Sequence, residues 1–409
     1  MSHRTEHYDV AIVGGGPAGL AAACLVARAG ARTALFPGHS LSPEDRRPGS
    51  DPRTTALMRP TLRLLEALEL WPAPLQSVSA PLWRLRLLDE TNRFVTASPI
   101  TFDAHELGEE PFGWNIPNEP LVTALADRMI GLGTVAIPSS APVATLETGG
   151  AAVTLGTRDG VSCSAGLVVA ADGRQSTCRS AAGIKTLSWA YDQAAIATSF
   201  AHELPHDDVS TEHHRPGGPL TTVPLPGNWS SLVWMEPPEE VERLMALSPT
   251  AFARTLTRAL GGDLGAVSQV GPRRAFPATT VVARTFAKSR VMLVGEAAHV
   301  SPPIGAQGLN MGLRDAALAA ELVEAALEQG LDPGGEATLA AFDRRRRRDV
   351  LPRQLTVDLM NRTLLSGFMP AHAMRAAGVF ALSSLGPLRR LVMREGLGPT
   401  ADMPKAMRG

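Results

Sequence analysis

Cysteine is scarce in this chain, with only Cys24, Cys163 and Cys178 among 409 residues. Their number is odd, their spacings are wide and none forms a Cys-x-x-Cys pair. A disulfide framework and a zinc ribbon are therefore excluded, and a reducing cytoplasm is the expected setting. Charge of one sign is missing as well: 39 Lys+Arg against 40 Asp+Glu leave a net charge of -1. So balanced a chain has no overall field to draw in nucleic acid or an anionic membrane, and no nucleic-acid partner is expected. No uninterrupted run of about 20 apolar residues occurs, so no transmembrane helix is expected. Residues 1–7 are polar, and the first apolar run, 10–26, is cut by four glycines and a proline, unlike a signal peptide. No repeat of fixed period appears.

What is there is ordinary for a globular protein: 44% hydrophobic residues in a chain too long for one core, so two or three units are expected. Residues 8–13 form a short apolar strand that ends at Gly14-Gly15-Gly16-Pro17-Ala18-Gly19. A helix with Leu20, Ala23, Cys24 and Ala27 on one face follows, Gly30 stops it, and 33–36 return as a strand. This is a βαβ opening. Further along, helices are expected at 60–70, 121–130 and 312–328. A hairpin is expected over 82–101, and core strands at 167–170 and 290–294. Residues 190–280 break into short apolar stretches between Pro/Gly clusters, which suggests a mostly β unit with one helix near 237–247. Helices are expected from 336 onward, broken near Pro352, Pro370 and Pro387.

Gly14-x-Gly16-x-x-Gly19 lies where a dinucleotide fingerprint must lie, after a strand and opening a helix. The first glycine permits the tight turn, the second lets backbone approach a pyrophosphate, and the third lets helix and strand pack. The helix N-terminus offers free N–H groups and the positive end of its dipole to the phosphates. One part is missing. The acidic residue that usually meets the ribose at the end of the second strand is replaced by Pro37.

Two later stretches sharpen the reading: Val168-Val169-Ala170-Ala171-Asp172-Gly173-Arg174, and Gly295-Glu296-Ala297-Ala298-His299 continuing through Pro303-Ile304-Gly305-Ala306-Gln307-Gly308-Leu309-Asn310. With the first motif they resemble, in order and spacing, the three fingerprints of the single-component FAD-dependent aromatic hydroxylases. Asp51-Pro52-Arg53, Asn115-Ile116-Pro117-Asn118, Glu212 with Pro216-Gly217-Gly218-Pro219-Leu220, and residues 344–349 with Asp358 and Asn361 carry a closer resemblance to the ubiquinone-biosynthesis hydroxylases. It covers nearly the whole chain.

The resemblance implies an α/β fold of the 4-hydroxybenzoate hydroxylase type. A Rossmann-like FAD-binding domain (1–72, 105–183 and 281–345) would carry an inserted mostly-β substrate domain (73–104 and 184–280) and a C-terminal helical region (346–409). It implies FAD held by Gly14, Gly16, Ala18, Gly19, Arg53, Asn118, Asp172, Gly173, Gly295, Glu296, Gly308, Leu309 and Asn310. Asp172-Gly173 would also serve the transient co-substrate NAD(P)H, and Glu296 would meet the ribityl chain where the family carries Asp. The loop with Pro303, Gly305, Gln307 and Gly308 would face the flavin ring, its N–H groups stabilising negative charge there. The implied reaction is hydroxylation of a prenylated phenol in ubiquinone synthesis with NAD(P)H and dioxygen, through a flavin hydroperoxide. The cofactor does the hard chemistry, and no protein nucleophile is expected.

Other readings stand beside this one. The substrate could be a soluble aromatic or polyketide, or the chain could be a non-catalytic flavin-fold scaffold, supported only by Pro37 and Glu296. Halogenation is disfavoured, because Trp114-Asn115-Ile116-Pro117 lacks the Trp-x-Trp-x-Ile-Pro signature. Tyr191 reads either as a neighbour of the ring pocket or as packing. Five arginines at 344–348 read as a solvated helix with ion pairs rather than a nucleic-acid tract. Glu212, His213 and His214 lack a metal-ligand pattern. Residues 364–394, apolar with Arg375, Arg389, Arg390 and Arg394, read either as a peripheral membrane surface on the inner face or as a packed helix pair. A contact with a quinone-biosynthesis complex belongs to the same expectation.

Overall fold

The computed structural model describes residues 6–45, 49, 51–91, 98–108, 110–365, 386–397 and 402–408. Its first sheet runs, from one edge, through strands Ala287–Lys288, Val291–Leu293, Ser162–Ala170, Glu6–Val13, Thr33–Phe36 and Val135–Ala136. From Val291–Leu293 onward every pairing is parallel. A hairpin, Val143–Thr148 with Val153–Thr157, extends the sheet from Ser162–Ala170. The central strands are apolar without alternation because both faces are covered: Val10, Ala11, Ile12 and Leu167 are fully buried. Helix Pro17–Arg28 was expected to bury one face, yet Leu20, Ala21, Ala22, Ala23 and Cys24 are all buried. It is wedged between the sheet and helices Asn118–Leu132 and Gln307–Glu328, which leaves only its C-terminal end, at Arg28, exposed.

Among the described residues the second sheet has nine strands. Its main path is His299–Val300, Arg274–Ala283, Thr186–His202, Trp229–Glu236, Gly218–Leu225, Val209–Arg215, Arg84–Asp89 and Ile100–Asp103. Alternation sorts the side chains to two faces. Ile196, Leu220, Leu232 and Trp234 pack with Val241 and Leu244 of helix Pro238–Ala246 and with Phe252 and Leu256 of helix Pro249–Ala259. On the other face, Ala195 and Met235 meet Ile304 and Val357. The second of those helices was not expected. Its signal is readable in hindsight: Ser248 accepts a hydrogen bond from the Ala251 N–H, Pro249 opens the helix, and Phe252 and Leu256 follow at helical spacing. A third, small sheet joins Thr54–Met58, Gly113–Pro117 and Ala80–Leu82. Residues 80–82 therefore leave the hairpin to which the sequence assigned their neighbours.

Helix Glu336–Leu365 runs unbroken through Pro352, correcting the break expected there. Proline removes one helical hydrogen bond. Its flanks are tied down instead: Arg353 Nε donates to Asp349 Oδ1 at 2.8 Å, and Gln354 Nε2 donates to Ser301 Oγ at 2.7 Å. Pro387 is the second residue of helix Gly386–Leu397, where no intrahelical donor is lost. That helix buries Met393 beside Phe112 and Trp83, and Arg389 pairs with Glu106 at 2.9 Å. Its described part thus follows the packed alternative; Pro370 and Arg375 lie outside the described residues.

Candidate cofactor site

Two helix N-termini open at the carboxyl ends of the parallel strands. Helix Pro17–Arg28 starts at Gly16 with no side-chain cap and no acid in its first turn. Helix Gln307–Glu328 starts five residues earlier than the sequence indicated, at a left-handed Ala306 (φ 52°), again with no side-chain cap. Each leaves free N–H groups for an anion.

The glycine cradle fits a dinucleotide. A Cβ on Gly14, whose φ is +121°, would overlap the Ala171 carbonyl, and one on Gly19 would overlap the Gly14 carbonyl. Around Gly16 and Gly308 nothing lies within 4 Å, so backbone there is open to a ligand. Ala18 and Gly312 pinch Gly295 between them: a Cβ on Gly295 would stand 3.3 Å from the Ala18 Cβ and 4.0 Å from the Gly312 Cα. Gly173 takes φ +80° in the neighbouring turn.

Arg53 and Asn118 are brought together by Asp51, whose role the sequence does not announce. Asp51 accepts from Arg53 Nε and from its terminal nitrogen at 2.8 Å each, and from Asn118 Nδ2 at 3.4 Å. Asn118 also accepts from Thr55 at 2.8 Å. Hydrogen bonding to Asp51 raises the Arg53 pKa, burial opposes this, and the charges of Asp51 and Glu296 add to the rise. For Asp51 burial pushes the pKa up, but the bonds from Arg53 outweigh it and leave it below the usual range. Replacing Asp51 by Ala should free both partners. The expected result is flavin affinity about tenfold weaker, from loss of charge-assisted positioning, read by flavin fluorescence on dilution.

Two of the expected contact residues also make bonds within the protein. The Asp172 carboxylate accepts from Ser176 Oγ at 2.6 Å and from the Cys178 N–H at 3.0 Å, so it closes its own turn. The Asn310 side chain accepts from the Met58 N–H and Thr61 Oγ1 and donates to the Ala56 and Ala306 carbonyls. With four bonds to protein its side-chain amide fixes the loop against strand Thr54–Met58. Leu309 is half-buried beside the core, while Pro303, Gly305 and Gly308 are exposed. Gln307 accepts from Arg353 at 3.1 Å.

Behind the loop lies a buried ion network. Asp315 accepts from the Gly295 N–H at 2.9 Å and contacts His299 at 2.7 Å and Arg346 at 2.5 Å. Asp349 pairs with Arg314, Arg346 and Arg353 at 2.8 to 2.9 Å. The arginine run is thus only partly solvated, since Arg346 is 2% exposed. Tyr191 donates to Asp358 at 2.5 Å and accepts from Trp189 Nε1 at 2.8 Å. Burial and the Asp358 carboxylate raise its pKa. It ties the long helix to the second sheet while its ring packs with the apolar cluster around Ile304. His213 and His214 each pair with a single carboxylate, Glu90 and Glu212. Among the described residues no group of three or more His, Cys, Asp or Glu could hold a metal, and no helix is long and apolar enough to cross a membrane.

The family model described as "FAD binding domain" matches residues 7–350. Ubiquinone hydroxylase UbiL of Rhodospirillum rubrum is 36% identical over 408 residues, covering 98% of this chain and 92% of that protein. The 3-demethoxyubiquinol 3-hydroxylase of Escherichia coli is 29% identical, covering 95% of this chain and 98% of that one. In fold, the chain resembles p-nitrophenol 4-monooxygenase PnpA from Pseudomonas putida, with TM-score 0.77 at 20% identity over 97% of this chain and 99% of that one.

Proposed function

The chain belongs to the FAD-binding-domain family and is an FAD-dependent aromatic-ring monooxygenase using NAD(P)H, and from that premise we propose that it hydroxylates a polyprenylated phenol in ubiquinone synthesis. The observation that carries this reading is the similarity to UbiL along nearly the whole of both chains. FAD, when bound, supplies hydride acceptance and oxygen chemistry. Gly14, Gly16 and Gly19 would cradle its pyrophosphate, and Arg53, Asn118 and Glu296 would flank its flavin half. The open N-terminus at Ala306 would place N–H groups and the helix dipole by the ring. Ala195, Val233, Met235 and Ile304 would form the apolar floor for the substrate ring and exclude water. The division into an FAD domain, an inserted β domain over 73–104 and 184–280, and a C-terminal region belongs to this proposal.

The decisive experiment is the quinone profile of lipid extracts from cells with and without the gene, in a host lacking a redundant hydroxylase. Loss of ubiquinone with accumulation of a prenylated phenol one oxygen short is expected, and the ring substitution names the carbon. An unchanged profile from cells whose protein is yellow and reduced by NAD(P)H would favour a soluble aromatic substrate instead. A colourless protein that takes up no FAD would favour the scaffold reading.

A prenylated substrate resides in the bilayer, and one helix face suits a membrane surface. Leu351, Leu355 and Leu359 are 43, 68 and 60% exposed at successive i+4 positions of Glu336–Leu365, with exposed Arg348 and Arg362 nearby. Anionic vesicles should therefore float the protein, and L355E/L359E should abolish this. Equal flotation of both proteins would rule out this helix face as the contact, and failure of the unsubstituted protein to float would remove the membrane contact itself. Point substitution is preferable to trimming the tail, because Met403 and Met407 are buried in the main core.

A further inference from the structure

The second strand ends without the carboxylate that usually accepts a ribose hydroxyl, and the structure shows what stands there. Gly14 N–H donates to the Phe36 carbonyl at 2.8 Å, and Gly15 N–H donates to the Pro37 carbonyl at 2.9 Å. The strand end is thereby bound directly to the glycine turn. Pro37 is buried, and its Cβ lies 2.9 Å from the place a Gly15 Cβ would occupy. The chain then turns at Gly38, with φ +80°, and brings the exposed His39 back over the same glycine. The His39 Cε1 stands 2.6 Å from that same Cβ position. A side chain at position 15 would collide with both residues, so Gly15 is needed for this imidazole to lie on the loop. On the other side of the turn, Gly16 has nothing within 4 Å.

We propose that His39 is the group that holds the adenosine end of FAD in this chain, hydrogen-bonding a ribose hydroxyl in place of the missing carboxylate. Proline at 37 can neither donate nor accept through its side chain. Imidazole can do either, because one ring nitrogen donates and the other accepts in its neutral form. A ribose hydroxyl, itself donor and acceptor, can meet either nitrogen. The replacement removes one negative charge from the nucleotide end, where the pyrophosphate already carries two. His39 is a binding residue and takes no part in the oxygen chemistry. The inference rests on FAD as the cofactor and stands or falls independently of the quinone reading.

The test separates the two halves of the cofactor. Full-length protein carrying H39A, H39Q or no change is reconstituted with FAD and, separately, with FMN, which has no adenosine half. Affinity is read from quenching of flavin fluorescence, and ADP is used as a competitor of FAD. Loss of one hydrogen bond should weaken FAD and ADP binding by H39A about three- to tenfold. FMN affinity should not change, and H39Q, which keeps a donor and an acceptor, should recover most of the loss. Unchanged FAD and ADP affinity in H39A would overturn the proposal. So would an equal loss for FMN, which would mean that His39 only shapes the glycine turn.

Discussion

Protein carrying Gly14→Ala should purify without flavin, its visible absorbance reduced at least about a hundredfold relative to protein content. Two independent penalties meet at this position. The backbone sits at φ +121°, a conformation that side chains with a Cβ rarely adopt. The added methyl would also overlap the Ala171 carbonyl and reach the Asp172 N–H. Ala171 belongs to the turn after strand Ser162–Ala170, the neighbour of Glu6–Val13. The clash would therefore push the first and second nucleotide turns apart, and the Asp172-Gly173 turn would move with them. Gly16→Ala is the informative comparison. It has open space and an extended φ of -78°, so the apoprotein should fold normally and lose FAD through contact with the ligand alone. Circular dichroism and flavin absorbance together read the difference. Full flavin occupancy in Gly14→Ala would show that the cradle does not hold the cofactor as described.

The glycine turn was legible because Gly14 and Gly19 answer local steric demands that sequence spacing preserves. Arg53 and Asn118 lie in separate stretches of the sequence, and the fold brings them onto one carboxylate. What the sequence hid was partnership. Nothing local announces that Asp51 brackets both Arg53 and Asn118, since Asn118 is 67 positions away. Asn310 reads as a cofactor contact from its place beside the ring loop, and nothing local announces that its amide also bonds strand Thr54–Met58, about 250 residues earlier in the chain. Asp172 follows the same rule: a carboxylate four residues before Ser176 is captured by the short helix it precedes. Pro352 misled for the opposite reason. A helix breaker was expected to act alone, but ion pairs and packing on both flanks keep the helix whole.

Replacing Asp349 by Ala should destabilise the protein by about 3–5 kcal/mol, because it strands buried arginines rather than removing one bond. Asp349 is the shared partner of Arg314, Arg346 and Arg353, and Arg346 is almost wholly enclosed. Its own burial pushes its pKa up, but the charges of Arg346, Arg314 and Arg353 overcome this and hold it far below the usual carboxylate range. The sign of the pH effect follows. Between the folded-state pKa and the ordinary carboxylate value, the unfolded chain binds a proton that the folded chain does not. Stability from this group is therefore complete above the ordinary value and drains away as pH falls toward the folded one. The wild type should lose melting temperature steadily through that acid window, while D349A starts lower and shows a shallower fall. D349A should also loosen the ring loop, because Arg353 links Asp349 to Gln307. Flavin release should then quicken in D349A even at temperatures where the protein remains folded. Removing charge from both sides, as in D349A combined with R314M, should recover part of the lost melting temperature. A double variant no more stable than D349A would show that the stranded cations are not the cause.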